Sequence, residues 1–93
     1  MSVPGDFSFI PDACNRDAYT DMYAAITKAE AWDWVKEDPG EGGFMFSTSP
    51  TLAKICAHMD DRVGHSGASF AMCMRQMQHL ARIGWDAWVA TQA

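Results

Sequence analysis

Residues 66–83, SGASFAMCMRQMQHLARI, contain no proline, and their only glycine lies near the beginning. At 100° per residue, the apolar side chains fall within about 120° of one another on a helical wheel. They are Phe70, Cys73, Met74, Met77, Leu80 and Ala81. The polar residues Arg75, Gln78, His79 and Arg82 share the opposite side. With Ser66 placed as an N-cap and Gly84 following the last turn, the pattern predicts one mostly buried central helix.

The composition indicates a small globular domain. The chain has 93 residues, of which 48% are hydrophobic and 20% charged. These values predict a single compact domain with one core. Four Trp, five Phe and two Tyr are a heavy aromatic load for this length. A surplus of aromatic side chains in a small domain also indicates an interface with another molecule.

The formal net charge of −5 is unevenly distributed. Residues 1–49 hold nine acidic and three basic side chains, whereas residues 50–93 hold three acidic and four basic ones. Nucleic-acid binding rests on clustered Lys and Arg facing phosphates, so we expect no nucleic-acid partner. The imbalance favours antiparallel self-association or a basic partner, although a solvated acidic face explains it as well.

The cysteines and the hydropathy pattern bear on the compartment. Cys14, Cys56 and Cys73 are odd in number and scattered among apolar residues, which predicts free thiols in a reducing, intracellular compartment. No apolar run approaches the length of a membrane span, and no secretory segment opens the chain, so we expect no membrane partner. The spacing of the histidines and cysteines places no two ligands on one helical turn, so we predict no metal site and no cofactor.

The N-terminal residues 1–14 are interrupted by two prolines and Gly5, which disfavour a long helix. The same stretch carries Phe7, Phe9 and Ile10, which make it too apolar for a free tail. We therefore expect an extended N-terminal arm that docks on this domain or on a neighbouring copy.

The remaining chain predicts about four further short helices, so the fold class is all-α. A helix begins after Asn15, a good N-cap residue, and its apolar face breaks phase near residue 30. A second, shorter helix therefore covers about 30–37. Ser49–Pro50 begins another helix, and residues 44–46 (FMF) form an extended segment across the core. The last helix has one apolar side formed by Trp85, Trp88 and Val89.

The turn before the central helix is the candidate ligand site. Glycines interrupt residues 64–69, and the free N–H groups and dipole of a helix N-terminus attract anions. The candidate anion-binding residues are Arg62, Gly64, His65, Ser66, Gly67 and Ser69. An ordinary capped turn explains the same residues. The chain contains no constellation that predicts a catalytic residue.

Two side chains of the central helix form a candidate interface. Met72 lies well off the apolar stripe and stacks along the helix with Ile83. This pair needs a second contact, either from another helix of the chain or from another molecule. With the arm included, the candidate interface residues are Phe7, Phe9, Ile10, Met72 and Ile83.

Several short segments carry a resemblance. In chain order they are WDW (32–34), GFMFS (43–47), GHSGASF (64–70), MRQM (74–77) and GW (84–85). Their order resembles small uncharacterised helical proteins of large DNA viruses of algae and amoebae, over about residues 30–89. The resemblance implies a setting in the infected host cell or the virion. It brings no activity with it, so no functional residue is transferred.

We therefore expect a non-catalytic protein–protein interaction module that self-associates, with a protein partner or a homo-oligomer as its assembly. The alternative is a small-molecule or phosphate-binding protein, conceivably an enzyme, that uses the N-terminus of the helix at 66–83. A large apolar two-fold contact favours the first function. A pocket or bound anion at residues 64–69 favours the second.

Overall fold

The structure, a computed structural model, describes residues 3–11, 16–37, 54–55 and 67–92, with residues 67–71 described by their backbone. Regular structure in this part of the chain is entirely helical, which confirms the all-α prediction there. The helices are α1 (Arg16–Lys28), α2 (Trp32–Glu37), α3 (Gly67–Ile83) and α4 (Trp85–Gln92). Lys54 and Ile55 are helical. The rest of the helix predicted from residue 49, and the predicted segment 44–46, lie outside the described residues.

Helix α3 is central among the described elements, because it packs against α1, α2 and α4. The chain has a radius of gyration of 12.5 Å, close to the value of about 12 Å expected for a compact domain of this length. Every described element contributes to one core. Its buried residues are Phe7, Ile10, Met22, Ala25, Ile26, Ala31, Val35, Ile55, Cys73, Met74, Met77, Leu80 and Trp88.

The turn between α1 and α2 ends the first helix at the predicted phase break. Glu30 has a φ of +54°, in the left-handed region. Its N–H donates to the Thr27 carbonyl at 3.1 Å, and the Ala31 N–H donates to the Ile26 carbonyl at 3.0 Å. These two bonds form a Schellman motif, with buried Ala31 and Ile26 as its hydrophobic pair. Helix α2 begins at Trp32, later than predicted, because Ala31 completes this turn.

Gly84 separates α3 from α4, as its position in the sequence predicts. Its φ is +91°, which glycine adopts without strain. Its N–H donates to the Leu80 carbonyl at 2.8 Å, and its own carbonyl accepts from the Trp88 N–H at 3.0 Å. One residue therefore ends α3 and starts α4, and the change of direction buries the Trp88 indole completely.

The N-terminal segment differs from the predicted extended arm. The Asp6 N–H donates to the Val3 carbonyl at 2.9 Å, and the Ile10 N–H donates to the Phe7 carbonyl at 3.0 Å. Two tight turns therefore follow each other. Gly5 has a φ of +90°, as the third position of a type II turn requires. The prediction was wrong because a Pro-Gly pair favours a tight turn as strongly as it disfavours a helix.

These two turns place the Phe7 ring inside an aromatic cluster. Its centroid lies 5.3 Å from that of Trp85, 5.6 Å from that of Tyr23 and 5.8 Å from that of Trp88. The ring planes meet at angles between 67° and 84°. Edge-to-face pairs of this kind contribute about 0.5–1.5 kcal/mol each beyond the area they bury. The segment thus packs on α1 and α4 of its own chain.

Gln78 departs from the predicted polar side of the central helix. It is only 8% exposed, and its Nε2 donates to the Val35 carbonyl at 3.0 Å. One turn further along, Arg82 Nε donates to the Lys36 carbonyl at 2.9 Å. The last carbonyls of a helix lack partners within the helix, so two α3 side chains satisfy the end of α2. Because α2 covers this side of α3, Gln78 is buried.

Candidate functional site

The predicted anion site falls mostly outside the described residues. Arg62, Gly64, His65 and Ser66 all lie there. Gly67 and Ser69 belong to the first turn of α3, where the backbone alone is described. The site at the N-terminus of this helix therefore stays a prediction.

Three of the five predicted interface residues lie in the N-terminal segment. Phe7 is 2% exposed and Ile10 is 4% exposed, both inside the core of their own chain. Phe9 is half-buried, with its ring centroid 5.9 Å from that of Trp88. In the described chain, Phe7 and Ile10 are core residues rather than surface residues. The sequence could not distinguish these outcomes, because an aromatic side chain is buried equally well against its own chain or against a copy.

The other two predicted interface residues, Met72 and Ile83, are exposed on the outer side of α3. Met72 is 64% exposed and Ile83 is 40% exposed. Eleven residues separate them, which is three helical turns and about 16 Å along the axis. Val3, in the N-terminal segment, is the other exposed large hydrophobic side chain among the described residues. We refer to the pair as the Met72–Ile83 stripe.

Gln76 and His79 lie between the two ends of this stripe on the same side of α3. His79 is exposed, whereas Gln76 is half-buried because its Oε1 accepts from the Trp88 Nε1 at 3.4 Å. The bond holds the Gln76 amide down against α4. The middle of the stripe is therefore polar, with one exposed apolar side chain at each end.

One flank of the Met72–Ile83 stripe is basic. Arg75 and Arg82 are both exposed and seven residues apart, so they lie in line along the helix. Arg82 is oriented by the bond from its Nε to the Lys36 carbonyl. Helix α3 contains no acidic residue. Elsewhere in the described chain the exposed acidic residues are Asp6, Asp17, Glu30, Asp33, Glu37 and Asp86.

A groove crosses another face, between α2 and the junction of α3 with α4. It has a volume of about 340 Å³. Tyr23, Trp32 and Trp85 supply its aromatic walls, while Asp33 and Lys36 supply charged atoms on the α2 side. The Tyr23 centroid lies 5.0 Å from that of Trp32 and 5.7 Å from that of Trp85. Sequence reasoning missed this groove, because its walls come from elements far apart in the chain.

The Trp85 indole carries a buried donor without a hydrogen-bond acceptor, its Nε1. Aromatic ring faces accept weak N–H hydrogen bonds. The rings of Phe7 and Tyr23 stand nearly perpendicular to this indole, at 84° and 70°. Because the nitrogen is covered, the groove offers a ligand its aromatic carbon surface and the charged groups of α2, but not this donor.

Cys73 is the cysteine among the described side chains. Its thiol is free and buried, and burial raises its pKa. The reactive form of a cysteine is the thiolate, so this environment disfavours nucleophilic chemistry at Cys73. In the described part of the chain, three or more potential metal ligands do not come together at any point. Likewise, the helices of that part are each too short or too polar to cross a membrane.

The chain matches no protein-family model, no curated protein and no solved structure.

Proposed function

We propose that this chain is a non-catalytic protein–protein interaction module, and that the outer side of α3 is its docking surface. The observation that carries the proposal is the Met72–Ile83 stripe, in which two exposed apolar side chains align on one face of the central helix. Burying a Met or Ile side chain contributes about 1.5–3 kcal/mol, so a partner that covers both gains useful affinity. The resemblance to viral helical proteins supports the infected cell or the virion as the setting.

The sequence predicts self-association from the aromatic surplus, from the apolar N-terminal arm and from the position of Met72 and Ile83 off the apolar stripe. Phe7 and Ile10 are buried within their own chain, so they supply no apolar surface to a second copy. Among the described residues, Met72 and Ile83 of α3 are therefore the better candidates for contact with another molecule. The proposal keeps the interaction role and moves it from the arm to the Met72–Ile83 stripe.

The groove between α2 and α4 favours a second candidate function, the binding of a small molecule. Its volume of about 340 Å³ lies at the lower end of the range of ligand pockets, about 300–1,000 Å³. Its aromatic walls suit a flat apolar group, and Asp33 and Lys36 suit polar ends. This candidate involves residues other than those of the predicted anion site, residues 64–69.

Site-specific photo-cross-linking in the cell of origin tests the docking surface. A photoreactive amino acid is introduced at position 72 or at position 83, and in a matched control at the exposed Ala24 of α1. We expect the same protein, or the same second copy, to be joined from positions 72 and 83 and not from position 24. Equal yields from all three positions, or no product from 72 and 83, would contradict the proposal.

The two candidate functions separate in an NMR titration of the full chain with small aromatic compounds. Binding in the groove shifts the Trp85 indole signal and leaves the Met72 methyl signal in place. If such shifts appear at Trp85 while cross-linking at position 72 yields no product, the small-molecule function replaces the interaction module.

A further inference from the structure

The groove between α2 and the junction of α3 with α4 is built around three aromatic rings. The Tyr23 ring contacts two indoles, with its centroid 5.0 Å from that of Trp32 and 5.7 Å from that of Trp85. The ring planes meet at 56° and 70°, so the rings form a corner instead of a flat wall. All three side chains are half-buried and line the groove, so part of each ring is open to a ligand.

The two indoles of this corner offer a ligand no hydrogen-bond donor. Trp32 Nε1 donates to Thr27 Oγ1 at 3.1 Å, and Trp85 Nε1 is covered. The indoles offer instead their ring faces, which carry partial negative charge. A cation therefore gains from this corner, whereas an anion or a carbonyl group finds no indole N–H to bind.

A quaternary ammonium group suits these rings better than a primary ammonium group does. It has no N–H that needs an acceptor, and Trp and Tyr rings bind it through the attraction between its charge and the ring face. A primary ammonium group has three strong donors, for which aromatic carbon is a poor acceptor. The rings therefore favour a cation whose nitrogen is fully methylated or alkylated.

The charged side chains of the groove come from α2. Among the described residues that line it they are Asp33 and Lys36, both exposed. Residues three apart are neighbours on one side of a helix, with Cβ atoms about 5–6 Å apart. Asp33 attracts a cation. Lys36 repels a ligand that carries only positive charge, but it attracts an anionic group held close to the cation. The pair therefore favours a ligand with both charges.

We infer that this groove binds a free small zwitterion, whose quaternary ammonium group lies against the three aromatic rings, with Asp33 beside it and Lys36 at its anionic group. The inference rests on the second candidate function, the binding of a small molecule, and names the class of ligand. It does not depend on the docking surface of α3. The volume of about 340 Å³ lies within the range that holds whole small ligands, which favours a free molecule over the headgroup of a membrane lipid.

Phosphocholine is the probe, because it combines a trimethylammonium group with a phosphate. Its carbon analogue, with a tert-butyl group in place of the trimethylammonium group, has the same shape without the positive charge. Phosphoethanolamine has the charge without the methyl groups. Each compound is added to the full chain up to about 10 mM, ten times a weak dissociation constant of ~1 mM, while NMR follows the Trp32 and Trp85 indole signals. We expect phosphocholine to shift both signals and to bind about tenfold more tightly than either analogue.

Charge-neutralised variants locate the ligand. Asp33→Asn keeps the shape of the side chain and should weaken the binding of phosphocholine about fivefold. The matched control is Asp17→Asn, because Asp17 is the second residue of α1 as Asp33 is of α2. It should change the affinity by less than about twofold. Lys36→Gln should weaken the binding of phosphocholine but not of choline, which lacks the anionic group. The folding of every variant is checked by its melting curve.

The outcomes separate this inference from small-molecule binding itself. If the carbon analogue binds as tightly as phosphocholine, the groove is an apolar ligand site and the cationic ligand is wrong. If small aromatic compounds shift the Trp85 signal and phosphocholine shifts neither indole, the small-molecule function stands and the inference is overturned. Equal losses of affinity in Asp33→Asn and Asp17→Asn also overturn it.

Vesicles of phosphatidylcholine test the other source of the same chemistry. We expect the full chain to stay in the supernatant when the vesicles are sedimented. Sedimentation of the chain with the vesicles, without any shift of the indole signals by free phosphocholine, would identify a lipid surface as the ligand and overturn the inference of a free molecule.

Discussion

The Phe7 ring packs against the Trp85 indole with ring centroids 5.3 Å apart and ring planes at 84°. This contact joins the second N-terminal turn, residues 7–10, to the beginning of α4. Phe7→Ala removes it and leaves a cavity among three aromatic rings, so we expect a loss of about 3–5 kcal/mol in the free energy of unfolding. Urea denaturation of the full chain measures the loss.

The control for this change is Val3→Ala, in the same segment but at a side chain exposed to solvent. It should alter the free energy of unfolding by less than about 0.5 kcal/mol. An unchanged stability in Phe7→Ala, accompanied by a change in oligomeric state, would show that the segment docks on a second copy.

Glu30 holds a left-handed conformation at the end of α1, with a φ of +54°. A residue with a Cβ pays about 1–2 kcal/mol for such a conformation, whereas glycine adopts it freely. After the greater chain entropy of unfolded glycine is subtracted, Glu30→Gly should stabilise the protein by about 0.5–1 kcal/mol. Thermal melting checks this, with Asp33→Gly inside α2 as the control. Because Asp33 is helical, its replacement should lower the stability.

Gln78 Nε2 supports the end of α2 through its bond to the Val35 carbonyl at 3.0 Å. Gln78→Met keeps the length of the side chain and removes the donor, so a buried carbonyl loses its partner. We expect a loss of about 1–3 kcal/mol in the free energy of unfolding. Gln92→Met, at an exposed position near the end of α4, is the matched control and should be close to neutral. Equal stabilities of the two variants would refute the supporting role of Gln78.

Met77 and Met72 lie on opposite sides of α3, one fully buried and one exposed. Met77→Asp places an unpaired carboxylate in the core, at a cost of several kcal/mol that is comparable to the whole stability of about 5–15 kcal/mol. We expect this variant to lose its cooperative melting transition. Met72→Asp should remain folded, because its carboxylate is solvated. A cooperative transition in both variants would show that the core has been misassigned.

The buried Cys73 thiol makes the stability depend on alkaline pH. Burial raises its pKa, so the native state holds the proton more tightly than the unfolded chain does. The stability that the protonated thiol contributes is fully present below the unfolded pKa of about 8.5. It is lost as the pH rises through the pKa of the folded state. We therefore expect the free energy of unfolding to fall above pH ~8.5.

Denaturation of the parent chain and of Cys73→Ala between about pH 7 and pH 10 measures this effect. The slope of the free energy of unfolding against pH is compared between the two chains. The difference isolates the contribution of Cys73 from the contributions of the other titrating groups. Identical slopes would mean that the thiol is not protected in the native state.

Local signals in the sequence predicted the described helices. The phase break near residue 30 and the glycine at position 84 correspond to a Schellman motif and to a left-handed turn. These features depend on residues within one or two turns of each other, so a short window of sequence contains the whole interaction. Helical periodicity also placed Met72 and Ile83 off the apolar stripe, but it left open whether another helix of the chain covers them, and the structure leaves both exposed.

The long-range partners were decided by the tertiary structure alone. Hydrophobic burial has no direction, so the sequence indicated that Phe7 must be buried but not that Trp85 would cover it. Gln78 has a polar side chain on a polar side of its helix, and it became a buried residue because α2 brought the Val35 carbonyl to it. The sequence by itself therefore determined the helices and the position of Met72 and Ile83 off the apolar stripe of α3. The packing of separate elements determined which side chains remain on the surface to meet a partner.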